Sequence, residues 1–125
     1  MTVTSAQVVR VSAVLLFLWF GFQQLVSPGD WVGFLPTWTG YFPVPGEMLV
    51  QLNGLMEVVL AALLALGAYT RVSAGLLGVH LFFIALSAGG AIGVRDAVLA
   101  FMTLSLCVGT PDAWTMDARA VKQAA

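Results

Sequence analysis

From Met48 to Ala68 the chain reads MLVQLNGLMEVVLAALLALGA, and its only charged side chain is Glu57. This run constrains the fold more than any other feature. Crossing the hydrocarbon core of a bilayer takes about 20 apolar residues, within a range of roughly 17–25. Three more apolar runs can be drawn, at residues 8–26, 72–92 and 95–110. The last is the shortest and must borrow flanking residues to span. Charged residues make up 9% of the chain, against about 25% in a soluble domain. That is too few to cover a water-facing surface, so lipid must solvate most of it. The first run is read as retained, because Val26-Ser27-Pro28-Gly29 is a poor cleavage site and further spans follow. The expectation is an all-α polytopic membrane protein, a single domain over residues 1–125 folded as an antiparallel four-transmembrane-helix bundle.

The connections refine this. Only Tyr69-Thr70-Arg71 separates the second and third runs, so those helices must be antiparallel neighbours. Gly89, Gly90 and Gly93 punctuate the third link. The long connection, residues 27–47, has no Lys or Arg but is dense in aromatics, Gly and Pro. Trp31, Phe34, Trp38, Tyr41 and Phe42 suit the headgroup level, and Pro36, Pro43 and Pro45 forbid a long helix. An aromatic interfacial loop with one short amphipathic turn is expected between helices 1 and 2. Arg10, Arg71, Arg119 and Lys122 fall on one side of the bundle and Arg95 on the other. The positive-inside rule then places both termini in the cytoplasm, as in a multi-pass protein of the cell (plasma) membrane. Residues 111–125 become a cytoplasmic tail with a short surface helix.

Several function classes drop out. Net charge is near neutral with no basic run, so nucleic acid is not an expected partner. Cys107 is the sole cysteine, which rules out an internal disulfide or a CxxC pair; in its apolar run it reads as an inert thiol. With one histidine and no paired ligands, no metal site is expected. No phosphate-cradling glycine motif, Ser/His/Asp order or carboxylate pair within one span appears, so a self-contained enzyme is not indicated.

What remains is a set of polar residues inside the membrane. At about 1.5 Å per residue, Glu57 lies roughly 13 Å below one surface and His80 roughly 12 Å above the other. In a core about 30 Å thick their depths differ by only about 5 Å. Gly54, Glu57, Ala61, Ala65 and Ala68 recur at helical spacing as one small-residue stripe, so Glu57 faces the bundle and not lipid. On the third helix Ser73, His80 and Ser87 make a thin polar stripe, beside a small face of Ala74, Gly78, Ala85 and Gly89. A carboxylate at this depth costs about 2.5–3.5 kcal/mol on insertion scales and needs a cation, several donors or a proton. Candidate partners are His80, Asn53, Gln23 or Gln24, and Arg95, whose neighbour Asp96 points about 100° away on the helix. Each also has a plainer role: Glu57 as a hydrogen-bonded packing residue, His80 as a satisfied core histidine, Arg95 and Asp96 as an interfacial anchor, Gln23 and Gln24 as headgroup-level residues.

The runs LLFLWFGFQQLVSPGDW, NGLMEVVLAALLALGAYTR and GGAIGVRDAVLAF, in this order around an aromatic loop, resemble the DoxX/DoxD family of small four-span membrane proteins over residues 11–108. The resemblance implies an accessory membrane subunit linked to quinone-dependent oxidoreductases, and it places the family pattern on Gly54, Glu57, Gly67, Arg71 and Arg95. It supplies no covalently bound cofactor; a quinone or a lipid is the ligand it suggests. The first functional expectation is therefore a redox-associated subunit with a polar pocket around Glu57, His80 and Arg95, capped by the aromatic loop. The second is a non-enzymatic scaffold forming a homo- or hetero-oligomer with partner membrane subunits. A small transporter or proton path is the third, and no broken helix supports it.

Overall fold

The computed structural model describes residues 2–124, so Met1 and the last residue of the expected tail, Ala125, lie outside the described residues. Four long helices follow in order: α1 (Ser5–Val26), α2 (Gly46–Leu66), α3 (Thr70–Ala88) and α4 (Gly90–Val108). All four are long and apolar enough to cross a membrane. A short α5 (Met116–Ala124) closes the chain. The protein is an all-helical, multi-pass membrane protein in contact with the lipid bilayer, and its large exposed side chains fit that solvent. Leu15, Phe22, Leu76, Phe83 and Phe101 are each more than half exposed, which water would not tolerate over so wide a surface.

Local chemistry sets the helix ends. Thr4 caps α1 in a reciprocal box with Gln7, satisfying amides that would otherwise be orphaned. Helix α2 stops at Gly67, whose φ of +71° is a left-handed geometry that costs glycine little. The amide of Gly67 bonds Leu64 O and that of Ala68 bonds Leu63 O. Helix α3 ends at Ala88, short of the expected residue 92, because Gly89 also takes a positive φ. The residues released join α4, which begins at Gly90 and not near 95. It thereby reaches 19 residues and no longer falls short of the bilayer. The loop holds three 3-10 turns, Pro28–Asp30, Val32–Phe34 and Thr37–Tyr41, where one turn was expected. Trp31 of this loop stacks edge-on against Trp19 and Phe20 of α1.

The helices pair as two tight hairpins, α1 with α2 and α3 with α4, and the hairpins meet more loosely along α2–α3 and α1–α4. Small residues set the tight seams. A Cβ built on Gly54 would stand 2.7 Å from the carbonyl oxygen of Gly21, and one on Gly21 2.9 Å from that of Gly54. The two backbones touch. In α3–α4, Gly78 accommodates Leu104, and Gly93 lies against the Ala85 carbonyl. The core between the hairpins is built from Ala13, Phe17, Ala61, Leu64, Leu77 and Ala100. On α2 the buried stripe runs Gly54, Glu57, Ala61, Leu64. Ala65, expected inside, is exposed, because the buried positions Val50, Gly54, Glu57, Ala61 and Leu64 repeat at 4, 3, 4 and 3, the 3.5-residue period of helices that wrap around one another and not the 3.6 of a straight seam.

Candidate functional site

The Gly21–Gly54 contact brings the last turn of α1 against α2, where Gln24 reaches Glu57. Glu57 is 3% exposed. Gln24 Nε2 donates to its Oε2 at 3.3 Å, and Asn53 Nδ2, one turn earlier on α2, donates to its Oε1 at 3.2 Å. Asn53 Nδ2 also donates to Gln24 Oε1 at 2.6 Å, so the three side chains form a closed ring. Two amides therefore take the place of the missing cation. His80 approaches from α3: its Nε2 lies 3.6 Å from Glu57 Oε1. That is beyond a hydrogen bond, and the buried Nε2 has no other partner among the described residues. The His80 side chain is 27% exposed, against 4% for Glu57, so the surroundings can reach the histidine but not the carboxylate.

Gln24, Asn53, Glu57 and His80 thus come together from three helices. The remaining candidates do not. Gln23, one residue from Gln24, turns to a half-buried position and joins no bond of the cluster. Arg95 bonds its neighbour Asp96, Nε to Oδ1 at 3.1 Å, despite their separation around the helix. Its side chain is 60% exposed. With α4 beginning at Gly90, Arg95 sits in the second turn with its head at the surface, so neither residue lines a pocket with Glu57. Ser87, expected on the polar stripe, is also exposed. The aromatic loop leans on α1 and supplies none of the lining of the groove onto which His80 opens.

A second cluster, at the end of the bundle that carries both termini, was not anticipated. Arg10, counted from sequence among the cations at one side of the bundle, is 4% exposed. Its Nε donates to Asp112 Oδ2 at 2.7 Å and its Nη2 to Asp112 Oδ1 at 3.3 Å, a two-point grip. Its Nη1 donates to the carbonyls of Leu64 and Ala65, both at 3.0 Å, filling acceptors left open where α2 ends. Asp117 of α5 accepts from the amides of Tyr69 and Thr70 at 3.0 and 2.7 Å, where α3 starts from the left-handed Tyr69. Burial raises the Asp117 pKa, but the adjacent Thr70 side chain and the two amides outweigh it and hold the carboxyl below its usual range. The tail is therefore a strap across the α2–α3 turn. Its signal was present: Gln7, Arg10, Val14, Phe17, Gly21 and Gln24 are all buried at spacings of 3, 4, 3, 4 and 3. That one stripe turns Arg10 inward and selects Gln24 over Gln23.

Residues 5–90 match the family described as DoxX, so the chain belongs to the DoxX family. The match contains Arg10, Gln24, Asn53, Glu57 and His80, while nearly all of α4, with Arg95, and the tail fall outside it. No curated protein and no solved structure matches the chain.

Proposed function

We propose, with DoxX membership as the premise, that this protein is an accessory subunit of a quinone-linked redox complex in which the Glu57–His80 pair exchanges protons with a lipid-soluble ligand. One observation carries the reading. A buried carboxylate, held by two amides, faces a buried imidazole nitrogen with no partner, and the imidazole also borders the lipid-facing surface. A quinone, when bound, supplies two-electron, two-proton chemistry, and an imidazole that borders lipid on one side and turns Nε2 to a carboxylate on the other suits a ring that must gain or lose protons. His80 takes the contact with the ligand, while Glu57 receives or returns a proton through Oε1. A contraction of under about 1 Å brings the pair to hydrogen-bond distance. Gln24 and Asn53 fix the carboxylate so that this movement falls to His80. Electrons pass through a partner subunit. The complex sits in the plasma membrane with this chain's termini cytoplasmic, since four of its five cations lie at that end.

The test is quinone-dependent turnover of the complex isolated with the tagged protein. Glu57→Gln and His80→Phe are each expected to lower it by about a hundredfold, the scale of a lost acid–base group, with the complex intact. Unchanged turnover in both overturns the reading. A scaffold role has its own support: the Glu57 ring bridges α1 and α2 beside the Gly21–Gly54 contact, and a latch needs nothing more. In that case Glu57→Gln weakens assembly with partner subunits and His80→Phe does nothing.

A further inference from the structure

The loose seam between the hairpins leaves a groove along α2 and α3, open to lipid and about 850 Å³ in volume. This is within the range of roughly 300–1,000 Å³ typical of ligand sites. Its walls are apolar, with Leu55, Val59, Leu76 and Val79 among them, and among the described residues two polar side chains border it: Arg71 at the termini end and His80 further along α3. Nine residues of helix separate those two, or about 13 Å at 1.5 Å per residue. Half of a hydrocarbon core about 30 Å thick is about 15 Å. From Arg71 to His80 the groove is thus about one leaflet deep, with a cation at headgroup level, and on α2 it continues past that point to Leu52.

We propose that this groove is a specific site for an anionic phospholipid of the leaflet at the termini end, its phosphate on Arg71 and one acyl chain along α2–α3 up to His80. The charge balance favours an anion. That end carries Arg10, Arg71, Arg119 and Lys122 against Asp112 and Asp117. Asp112 is taken up by Arg10 and Asp117 by the amides of Tyr69 and Thr70. Arg71 spends one N–H on the Gly109 carbonyl at 3.2 Å; a guanidinium has five. Arg71 is exposed, and its remaining donors keep the planar array that suits a phosphate. The dimensions favour a single chain from that leaflet, because a lipid of the opposite leaflet would present no headgroup to a cation. The inference does not depend on the redox reading, since the groove and Arg71 serve a scaffold equally well.

The intact protein is reconstituted in nanodiscs of equal phosphatidylglycerol and phosphatidylcholine with identical acyl chains, then released for native mass spectrometry. The wild type is expected to retain one phosphatidylglycerol per chain with about a fivefold preference, the contribution of one basic side chain near an anionic lipid. Arg71→Gln should erase the preference and Arg71→Lys keep most of it. Val79→Trp, which fills the groove, should reduce retention of both lipids. The double variant Arg119→Gln, Lys122→Gln should behave as wild type. Equal retention of the two lipids by the wild type overturns the proposal. So does a preference that survives Arg71→Gln, one that disappears in the double variant, or retention that Val79→Trp leaves untouched.

Discussion

At the level of single residues, two buried charged side chains are tolerated for different reasons. Glu57 has no cation and relies on the amides of Gln24 and Asn53, whereas Arg10 has a carboxylate and two helix-end carbonyls. The two sites therefore respond differently to replacement. Both bonds at Glu57 come from amide donors, so glutamine there turns an NH₂ toward one of them. Glu57→Gln is expected to cost about one hydrogen bond, ~1 kcal/mol, while Glu57→Ala adds a cavity and unsatisfied amides for about 2–4 kcal/mol. Reversible unfolding in mixed micelles measures the difference. Arg10→Met leaves Asp112 buried without its cation and the Leu64 and Ala65 carbonyls open. A loss of about 3–5 kcal/mol is expected, and Arg10→Lys should recover only part of it, because an ammonium cannot span both the carboxylate and the carbonyls.

At the level of elements, Gly54 decides how closely α1 and α2 approach. A methyl group there meets a backbone oxygen and the Gln24 Cβ within 2.8 Å, and neither can swing aside as the tip of a side chain could. Gly54→Ala is expected to part the hairpin and cost about 1–3 kcal/mol, and thermal unfolding of the purified protein checks it. The same change pulls Gln24 from Glu57, so it should also depress whatever the Glu57 cluster does. The start of α3 depends on Asp117. Because its folded pKa lies below the usual carboxylate value, its contribution is complete above that usual value. It is lost as pH falls through the lower, folded one. Asp117→Asn can still accept one amide bond but carries no charge. The stability gap between wild type and variant should therefore be widest near neutral pH and close in acid, which pH-dependent unfolding of the pair would reveal. Much of this level was legible in the sequence: the spans, a three-residue turn between the second and third helices and the inward face of Glu57 follow from apolar length and helical spacing, although the turn falls at Gly67–Tyr69 and not at Tyr69–Arg71, because the left-handed Gly67 ends α2 early. The α3–α4 boundary was not, because glycines flanked by apolar residues look alike whether they continue a helix or break it, and the positive φ of Gly89 decides. Nor was the fate of Arg95, whose reach toward Glu57 was judged from a helix start placed several residues too late.

For the whole molecule, the two ends of the bundle are held by different means. The half away from the termini depends on backbone contact at Gly21–Gly54 and the amide ring around Glu57; the end that carries the termini depends on a strap from outside the family match. Sequence reading treated the tail as a surface appendage, since its polar residues resemble any solvated segment and their partners lie up to 102 positions away. Its removal is therefore informative. A chain ending at Gly109 loses Asp112, Thr115 and Asp117 together, leaving Arg10 buried without its anion, Gly67 O without the Asp117 amide and the first amides of α3 uncapped. These contacts act on one turn, so their losses should not add as independent terms. Hydrogen exchange should rise mainly at the end of α2 and the start of α3, and stay near wild type around Gly21, Gly54 and Glu57. Faster exchange spread evenly over all four helices would mean that the tail supports the bundle as a whole. Protection unchanged at residues 64–73 would mean that the strap only rests on the turn it touches.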